Sequence, residues 1–362
     1  MGIKGLMKLL TDEAPGCVKE LQMSALSGRS VAIDASMALY QFLVAVRSNG
    51  EHGGAAQMLT NDAGDVTSHI QGMFNRTIRL MENGLKPVYV FDGKPPVMKG
   101  GELAKRTERR QTAQDNLKTA TEEGNVEDIE KFNKRLVRAT PQHNNDCKEL
   151  LAYVMLISSK LHLTDAHDRS LMGVPFINAP CEAEATCAAL AKHNKVFASG
   201  TEDMDVMTFG TPVLFRRLTI AASRKLPILE IKLDKVLAEL ELSYEQITVP
   251  DEWLGEDAIY KQARAMFLEP DVIDMADVDI KWKDPNVDDL RQFLVDKHGF
   301  SLDRVMNAIE KLKKAKTSHS QQRMESFFTV LPSSDSKLKR KADDKKAAKA
   351  KGTAAAKRGR KK

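Results

Sequence analysis

The sequence contains few residues of the kinds that build disulfide-bonded or zinc-bound proteins, and no long apolar run. Its four cysteines form no Cys-x-x-Cys pair, which argues against a disulfide framework and against a zinc site of the usual spacing. We therefore expect a reducing intracellular compartment. No apolar run approaches the ~18 residues of a transmembrane helix, so we expect no membrane partner. What is present, 42% hydrophobic and 29% charged residues, is typical of a globular protein with a substantial core.

Positive charge is concentrated near the C-terminal end of the sequence. Residues 337–362 contain thirteen Lys or Arg and two Asp, a net charge of +11. Since the whole chain has a net charge of +5, residues 1–336 have a net charge of −6. We predict a disordered basic tail over 331–362, with nuclear import and non-specific DNA attraction as its roles. Because the remaining body is slightly acidic, its contacts with nucleic acid must depend on local basic patches.

Short apolar segments alternate with helical segments over the first 250 residues. Five segments are predicted as buried strands: 30–34, 86–92, 174–177, 195–199 and 212–217. Helices are predicted between them, and a highly charged helical segment spans 101–147. This alternation predicts an α/β fold with a mostly parallel sheet and helices on both faces, followed after residue 250 by a helical extension.

Six carboxylates follow predicted strands or begin the helix after one: Asp34, Asp92, Glu182, Glu184, Asp203 and Asp205. The carboxyl ends of parallel strands share one edge of a sheet, so these side chains should converge there. Like charges at that density need cations, and hard divalent ions such as Mg²⁺ prefer oxygen ligands. A single Asp after a strand is commonly a turn or cap residue, but the joint pattern favours metal-dependent phosphoryl transfer.

Five motifs carry these carboxylates or open the chain. They are 1–6 (MGIKGL), 31–36 (VAIDAS), 89–96 (YVFDGKPP), 179–185 (APCEAEA) and 201–205 (TEDMD). In this order they resemble the flap endonuclease 1 family of structure-specific 5′ nucleases. The resemblance covers most of 1–151 and 170–246, then about 249–330. It implies a PIN-like 5′ nuclease core with a helical arch.

The resemblance implies a site with two Mg²⁺ ions. Asp34, Asp92, Glu182 and Glu184 would form the first metal group, and Asp203 and Asp205 would complete the second. Lys99 and Arg106 match two cations that steer the phosphate at the base of the arch, where they could stabilise charge on the scissile group. The residues expected to take part in catalysis are therefore Lys99, Arg106, Asp92 and Glu182.

DNA contacts are also implied by the resemblance. Tyr40 matches an aromatic residue on which a base stacks near the cut, and Arg47 and Arg76 match residues that contact DNA together with Glu182. The charged segment 101–147 resembles an arch through which a 5′ single strand threads. Without the family match, these cations would be interpreted as ordinary surface charge.

A short motif at 321–328 (QQRMESFF) fits a clamp-binding box. The motif begins with Gln321, and its spacing puts the following Met324, Phe327 and Phe328 on one face of a helical turn. We expect this box to bind a sliding clamp, proliferating cell nuclear antigen. The alternative is a terminal helix that folds back on the body, which the adjacent basic tail makes less favoured.

Two segments depart from the family pattern. The segment 152–169 (AYVMLISSKLHLTDAHDR) has no counterpart and precedes a predicted strand, so we expect it to loop out or to disturb packing. Near 246–249 the chain is shorter than the family. The Leu-Gly-Ser-Asp-Tyr motif, whose Asp is the family's seventh metal ligand, does not occur in the sequence, and neither does the Gly-rich element that grips duplex DNA.

These observations predict a flap endonuclease and 5′–3′ exonuclease of DNA replication and long-patch base-excision repair. Two alternatives remain: an impaired isoform that only binds clamp and DNA, and a Holliday-junction or excision-repair nuclease of the same superfamily. We expect a monomer in the nucleus (nucleolus and nucleoplasm), and the resemblance adds the mitochondrion. The predicted regions are 1–111 and 112–246 for the nuclease, 247–330 for the C-terminal extension and 331–362 for the tail.

Overall fold

A computed structural model describes residue 3 and the ranges 5–48, 67–96, 99–154, 171–218, 226–244 and 259–318. Several predictions about the sequence fall outside these residues. They are the loop at 49–66, most of the segment 152–169, the shortened stretch at 246–249, the clamp-binding box at 321–328 and the tail at 331–362. Residues 1–320 form one compact unit.

One sheet of eight strands organises the described part of this unit. The strands are β1 Val18–Leu21, β2 Ser30–Asp34, β3 Lys86–Phe91, β4 Ala152–Val154, β5 Val174–Asn178, β6 Ala198–Gly200, β7 Val213–Arg216 and β8 Ile228–Lys232. Their order across the sheet is β1-β8-β7-β6-β2-β3-β5-β4. From β7 to β4 every neighbouring pair is parallel, whereas β8 is antiparallel to β7 and β1. The predicted mostly parallel sheet is confirmed.

The central strands end at the same edge of the sheet. Asp34 is paired with Val90, and Ile33 with Gly200, so β2, β3 and β6 finish side by side. Phe91 is paired with Asn178, which brings the end of β5 to the same level. The residues that follow these four strands therefore enter one stretch of surface.

Twelve α-helices complete the described part of the chain. They are α1 Leu6–Glu13, α2 Ala35–Ser48, α3 Ser68–Glu82, α4 Gly100–Glu122, α5 Val126–Arg135, α6 Pro141–Leu151, α7 Ala183–Lys192, α8 Asp205–Thr208, α9 Leu233–Glu239, α10 Ile259–Leu268, α11 Val287–Arg291 and α12 Leu302–Ser318. Among the helices described, none combines the length and apolar character needed to cross a membrane. The helical extension predicted after residue 250 is confirmed by α10 to α12.

Helices cover both faces of the sheet because the buried strands alternate their side chains. Ile33 and Phe91 point into a core shared with α2, α3, α6 and α12, which contains Leu39 and Ile70. Ala32, Val88 and Val90 lie in a second core with residues of α7 such as Leu190. Both layers of the predicted architecture are therefore present.

The charged segment predicted as helical over 101–147 forms α4, α5 and part of α6. The first two make an exposed hairpin, because Gly124 adopts the left-handed conformation (φ 71°) that reverses the chain. Asn125 then caps α5, since its side chain accepts a hydrogen bond from the backbone N–H of Asp128 at 3.2 Å. This hairpin has the position that the resemblance assigns to the arch.

Part of the prediction for 152–169 was wrong. Its first three residues do not loop out. They form β4 and pair in parallel with β5, with Ala152 opposite Val174 and Val154 opposite Phe176. The inserted segment therefore begins as an edge strand that extends the sheet.

Candidate active site

All six predicted carboxylates lie at the carboxyl edge of the sheet. Asp34 is the last residue of β2, and Asp92 directly follows β3. Glu182 and Glu184 flank the first residue of α7, which follows β5. Asp203 lies on the short connection from β6 to α8, and Asp205 is the first residue of α8. The parallel topology therefore brings together residues that are up to 171 positions apart in the sequence.

Backbone amides hold two of these side chains in place. Asp34 Oδ1 accepts a hydrogen bond from the N–H of Met37 at 2.9 Å, within the first turn of α2. Asp92 Oδ1 accepts one from the N–H of Ala183 at 2.9 Å, at the start of α7. Both donors are amides that a helix leaves unpaired at its N-terminus, so each carboxylate is fixed by the helix beside it.

Asp203 and Asp205 are linked through a chain of hydrogen bonds. The N–H of Asp203 donates to Thr201 Oγ1 at 3.1 Å, and the N–H of Asp205 donates to Asp203 Oδ1 at 3.1 Å. Asp205 Oδ1 also accepts from the N–H of Ile3 at 2.8 Å, which ties the N-terminal segment to the site. We name the six side chains Asp34, Asp92, Glu182, Glu184, Asp203 and Asp205 the carboxylate group.

The carboxylate group is electrostatically strained. Burial, with the charges of Glu184 and Asp92, raises the pKa of Asp34 well above its usual value. Burial, with the charges of Asp92, Asp203 and Glu182, raises the pKa of Glu184 to about 7. Burial and the charge of Asp203 also raise the pKa of Asp205. These interactions connect all six carboxylates, so the structure brings the predicted residues together.

The donor set fits a divalent cation. Every member offers carboxylate oxygens, the ligands that Mg²⁺ and similar hard ions prefer, and a positive ion would relieve the repulsion that raises these pKa values. Within the described residues, no three His, Cys, Asp or Glu side chains stand in the geometry of a single metal site. The structure thus places the oxygens in one group without fixing which of them share an ion.

Lys99 is a cation within the carboxylate group. Its Nζ forms an ion pair with Glu182 Oε1. Although burial lowers the pKa of Lys99, the hydrogen bond to Glu182 and the charges of Glu182, Glu184 and Asp205 outweigh it, and the net pKa is raised. Arg106, by contrast, lies further along α4, where its Nε is 3.4 Å from Glu102 Oε1. Of the two predicted steering cations, Lys99 therefore reaches the group directly.

Comparison with known proteins places the chain in a family. The XPG N-terminal domain model matches residues 1–113, and the XPG I-region model matches residues 173–257. Flap endonuclease 1 of Phytophthora infestans is 55% identical, and the match covers 98% of this chain and 99% of that protein. The chain belongs to the flap endonuclease 1 family. It is therefore a nuclease, a phosphodiester hydrolase of a family that depends on divalent metal ions.

Other relatives agree with this assignment. Flap endonuclease 1 of Nematostella vectensis is 45% identical, with 94% of each chain covered. Flap endonuclease-1 from Methanococcus jannaschii has a similar structure (TM-score 0.60, 28% identity, 86% of this chain and 99% of that chain covered). The catalytic core of Rad2 in complex with DNA shares the fold (TM-score 0.57, 23% identity, 84% and 99% covered).

The nuclease is shorter than its relatives in part of its sequence. The alignment with the Phytophthora infestans protein spans 403 positions, 41 more than the 362 residues of this chain. Positions of that relative therefore have no counterpart here. This supports the prediction that a family segment is missing.

The predicted DNA-contacting residues differ in their accessibility. Tyr40, on α2, is 40% exposed and can meet a ligand. Arg76, on α3, is largely enclosed, and its guanidinium donates a hydrogen bond to the carbonyl oxygen of Ala38 in α2. Burial lowers the pKa of Arg76. Arg47 lies in the last turn of α2. In this structure Arg76 thus joins two helices.

Sequence reasoning missed residues that position the carboxylates. Glu202 lies between Thr201 and Asp203, yet it pairs with the end of β7: its carboxylate accepts from the N–H of Arg217 at 2.6 Å and lies 3.5 Å from the Arg216 guanidinium. Arg217 has a left-handed backbone (φ 63°) at this contact. The charged pair Arg216-Arg217 at the end of the strand predicted over 212–217 was the available signal.

Proposed function

We propose that this nuclease is a structure-specific 5′ flap endonuclease and 5′–3′ exonuclease. It would cut branched DNA during Okazaki-fragment maturation and long-patch base-excision repair, with two Mg²⁺ ions. The observation that carries the proposal is the carboxylate group, in which four separate parts of the chain supply six acidic side chains beside the cation Lys99. The family membership supplies the substrate class.

The residues of the site divide into three roles. Asp34, Asp92, Glu182, Glu184, Asp203 and Asp205 would hold the divalent ions. When bound, such ions supply an activated water and stabilise the attacking and leaving oxygens of a phosphodiester. Lys99 would exchange its contact with Glu182 for the scissile phosphate and offset the charge that develops there. Arg106 lies on the exposed helix α4, which begins directly after Lys99, and would assist from the arch side. Tyr40 offers a surface on which a base can stack.

The partners we propose follow from the sequence beyond the core. The box containing Gln321, Met324, Phe327 and Phe328 supports binding to proliferating cell nuclear antigen, with the aromatic pair as an apolar plug. The basic residues after 337 support a nuclear location and a general attraction to DNA. A monomer is the proposed state, and a mitochondrial pool is proposed only on the family resemblance.

A cleavage assay with strand-specific labels tests the proposal. Substrates carrying a 5′ flap, a bubble or a four-way junction are incubated with the full chain and Mg²⁺. We expect preferential cutting at the base of the flap, dependence on the divalent ion and loss of cutting in Asp92→Ala. Asp303→Ala, at an exposed position of α12, is the matched control and should cut normally. Cutting that survives Asp92→Ala would overturn the proposal.

A second candidate function is favoured by the shortened stretch near 246–249. Without the family's seventh carboxylate and its duplex-gripping element, the chain would act as a clamp- and DNA-binding protein that does not cut. In that case wild-type chain would bind the clamp, and Phe327→Ala with Phe328→Ala would abolish binding, while no substrate is cleaved. Turnover comparable to that of full-length relatives would eliminate this candidate.

A further inference from the structure

The proposed ligand Asp205 begins a helix that has almost no stability of its own. α8 is a single turn, Asp205–Thr208, and so short a helix depends on its surroundings for stability. Its first carbonyl, that of Asp205, accepts from Thr208 Oγ1 at 2.6 Å and from the N–H of Phe209 at 3.2 Å. The last carbonyl, that of Thr208, needs a partner from elsewhere in the chain.

Tyr244 supplies that partner from beyond α9. Its hydroxyl donates a hydrogen bond of 2.6 Å to the carbonyl oxygen of Thr208, across 36 residues of sequence. Burial raises the pKa of Tyr244, so the hydroxyl keeps its proton and remains a donor at neutral and mildly alkaline pH. The end of α8 opposite Asp205 is thereby anchored.

The ring of Tyr244 also fits against the turn after α8. Gly210 has a left-handed backbone (φ 81°). A Cβ at this position would lie 2.9 Å from the Tyr244 hydroxyl oxygen and 3.0 Å from Cζ. Such distances are shorter than ordinary contacts, so a side chain at this position would displace the Tyr244 ring, and the positive φ also favours glycine.

The same ring contacts the other helix that carries proposed ligands. Lys192 Nζ, at the last residue of α7, is 5.8 Å from the centre of the Tyr244 ring. Glu184 lies in the first turn of that helix. One aromatic side chain therefore contacts both α7 and α8, away from the carboxylates that these helices present.

We propose that Tyr244 is a positioning residue for metal binding, which holds α8 and thus the Asp205 carboxylate in register with α7. The inference rests on the proposed function, because it assumes that Asp205 binds a divalent ion. Groups that orient a ligand from behind change metal affinity without touching the metal, and their loss typically weakens binding by about tenfold or more.

The experiment compares Tyr244→Phe with a matched hydroxyl deletion elsewhere. Tyr89→Phe removes a buried hydroxyl that lies 2.9 Å from Thr77 Oγ1 in the core, and it serves as the control. Mn²⁺ binding is measured by electron paramagnetic resonance, the Mg²⁺ concentration for half-maximal flap cleavage by activity, and Tm by calorimetry. We expect Tyr244→Phe to raise the Mn²⁺ Kd and the Mg²⁺ requirement about tenfold, with the KM for DNA unchanged.

The control should show the opposite pattern. Tyr89→Phe should lower Tm and leave the metal requirement unchanged. Gly210→Ala, which crowds the Tyr244 ring, should reproduce the metal defect. Unchanged Mn²⁺ affinity in Tyr244→Phe would overturn this inference but leave the proposed function standing. A wild-type chain that binds no Mn²⁺ would overturn the proposed function, and the inference with it, and this failure is recognisable before any variant is made.

Discussion

Two buried clusters of titratable side chains in this nuclease differ in how their charge is compensated. In the first, the carboxylate group, Asp34 and Glu184 face other acids. In the second, Asp146 has one oxygen 2.8 Å from His69 Nε2, and its other oxygen accepts from Gln142 at 2.7 Å. Burial is therefore common to both. In the carboxylate group, however, the cation Lys99 pairs with one of six acids, Glu182, and burial and mutual repulsion still raise the pKa of Asp34, Glu184 and Asp205.

The difference separates a structural cluster from a functional one. The His69–Asp146 pair joins α3 to α6, and the ring centre of His143 lies 4.5 Å from that of His69, with the two rings tilted by 34°. Its hydrogen bonds stabilise the fold without a ligand. In the carboxylate group, by contrast, burial and repulsion between acids lower stability, and a bound cation would relieve that repulsion, which is a typical arrangement at functional sites. Variants in the two clusters should accordingly have opposite effects.

The largest effect is expected for Glu184→Gln. This change keeps the shape of the side chain but removes a charge from the carboxylate group. We expect flap cleavage to fall about a thousandfold, because metal-binding groups act as a unit. In metal-free protein, Tm should rise, because repulsion with Asp34 and Asp92 is relieved. Single-turnover kinetics and calorimetry measure the two quantities, and an unchanged rate would contradict the account.

The next effect is expected for Asp146→Asn, in the compensated cluster. Replacing the carboxylate that forms a buried hydrogen bond with His69 Nε2 by a neutral amide should lower the free energy of unfolding by about 2 to 3 kcal/mol. Cleavage per folded molecule should stay the same, since Asp146 lies in α6 and outside the carboxylate group. Urea denaturation followed by far-UV circular dichroism measures the loss. If the variant were as stable as wild type but cleaved slowly, Asp146 would belong to the functional site, and the structural role given to its cluster would be wrong.

A smaller effect is expected for Lys99→Ala. Loss of this cation should slow the chemical step about a hundredfold if, as proposed, it offsets charge near the scissile phosphate. Lys118→Ala, at an exposed position further along α4, is the matched control and should change the rate little. Rapid-quench measurements at saturating enzyme separate the chemical step from DNA binding. Equal rates for the two variants would rule out a special role for Lys99.

The smallest effect concerns pH. The pKa of Glu184 is raised from 4.5 to about 7 in the fold, so the protonated form is the one that folding favours. Its contribution to stability is therefore present below about pH 4.5 and is lost as pH rises to about 7. We expect the Tm of metal-free protein to fall across this window, and Mg²⁺ to restore it near neutral pH. A metal-free Tm that does not change across the window would contradict this.

The sequence predicted those parts of the fold and site that depend on local pattern. The apolar, β-branched segment Ser30–Asp34 was recognisable as a strand, and the parallel order of strands was enough to bring the carboxylates together. Edge strands were missed because they are short and partly polar. β1 pairs antiparallel with β8 through residues as distant as Val18 and Ile231, a pairing that no local signal reveals.

Contacts between distant side chains were also beyond reach. His69 and Asp146 are 77 residues apart, and Tyr244 and Thr208 are 36 apart. Each of these residues looks ordinary by itself, and its role emerges only when helices pack. The pairing of edge strand β4 with β5 could not be predicted either, because no pattern in the inserted segment distinguishes a new strand from a loop.

The central claim is that the carboxylate group exists to bind paired divalent ions. Titration of the full chain with Mn²⁺ near neutral pH, followed by electron paramagnetic resonance, tests it most directly, with Glu184→Gln measured alongside. The account predicts two ions bound per wild-type chain and much weaker binding in the variant. A wild-type chain that binds no Mn²⁺, or a variant that binds it equally well, would contradict the claim.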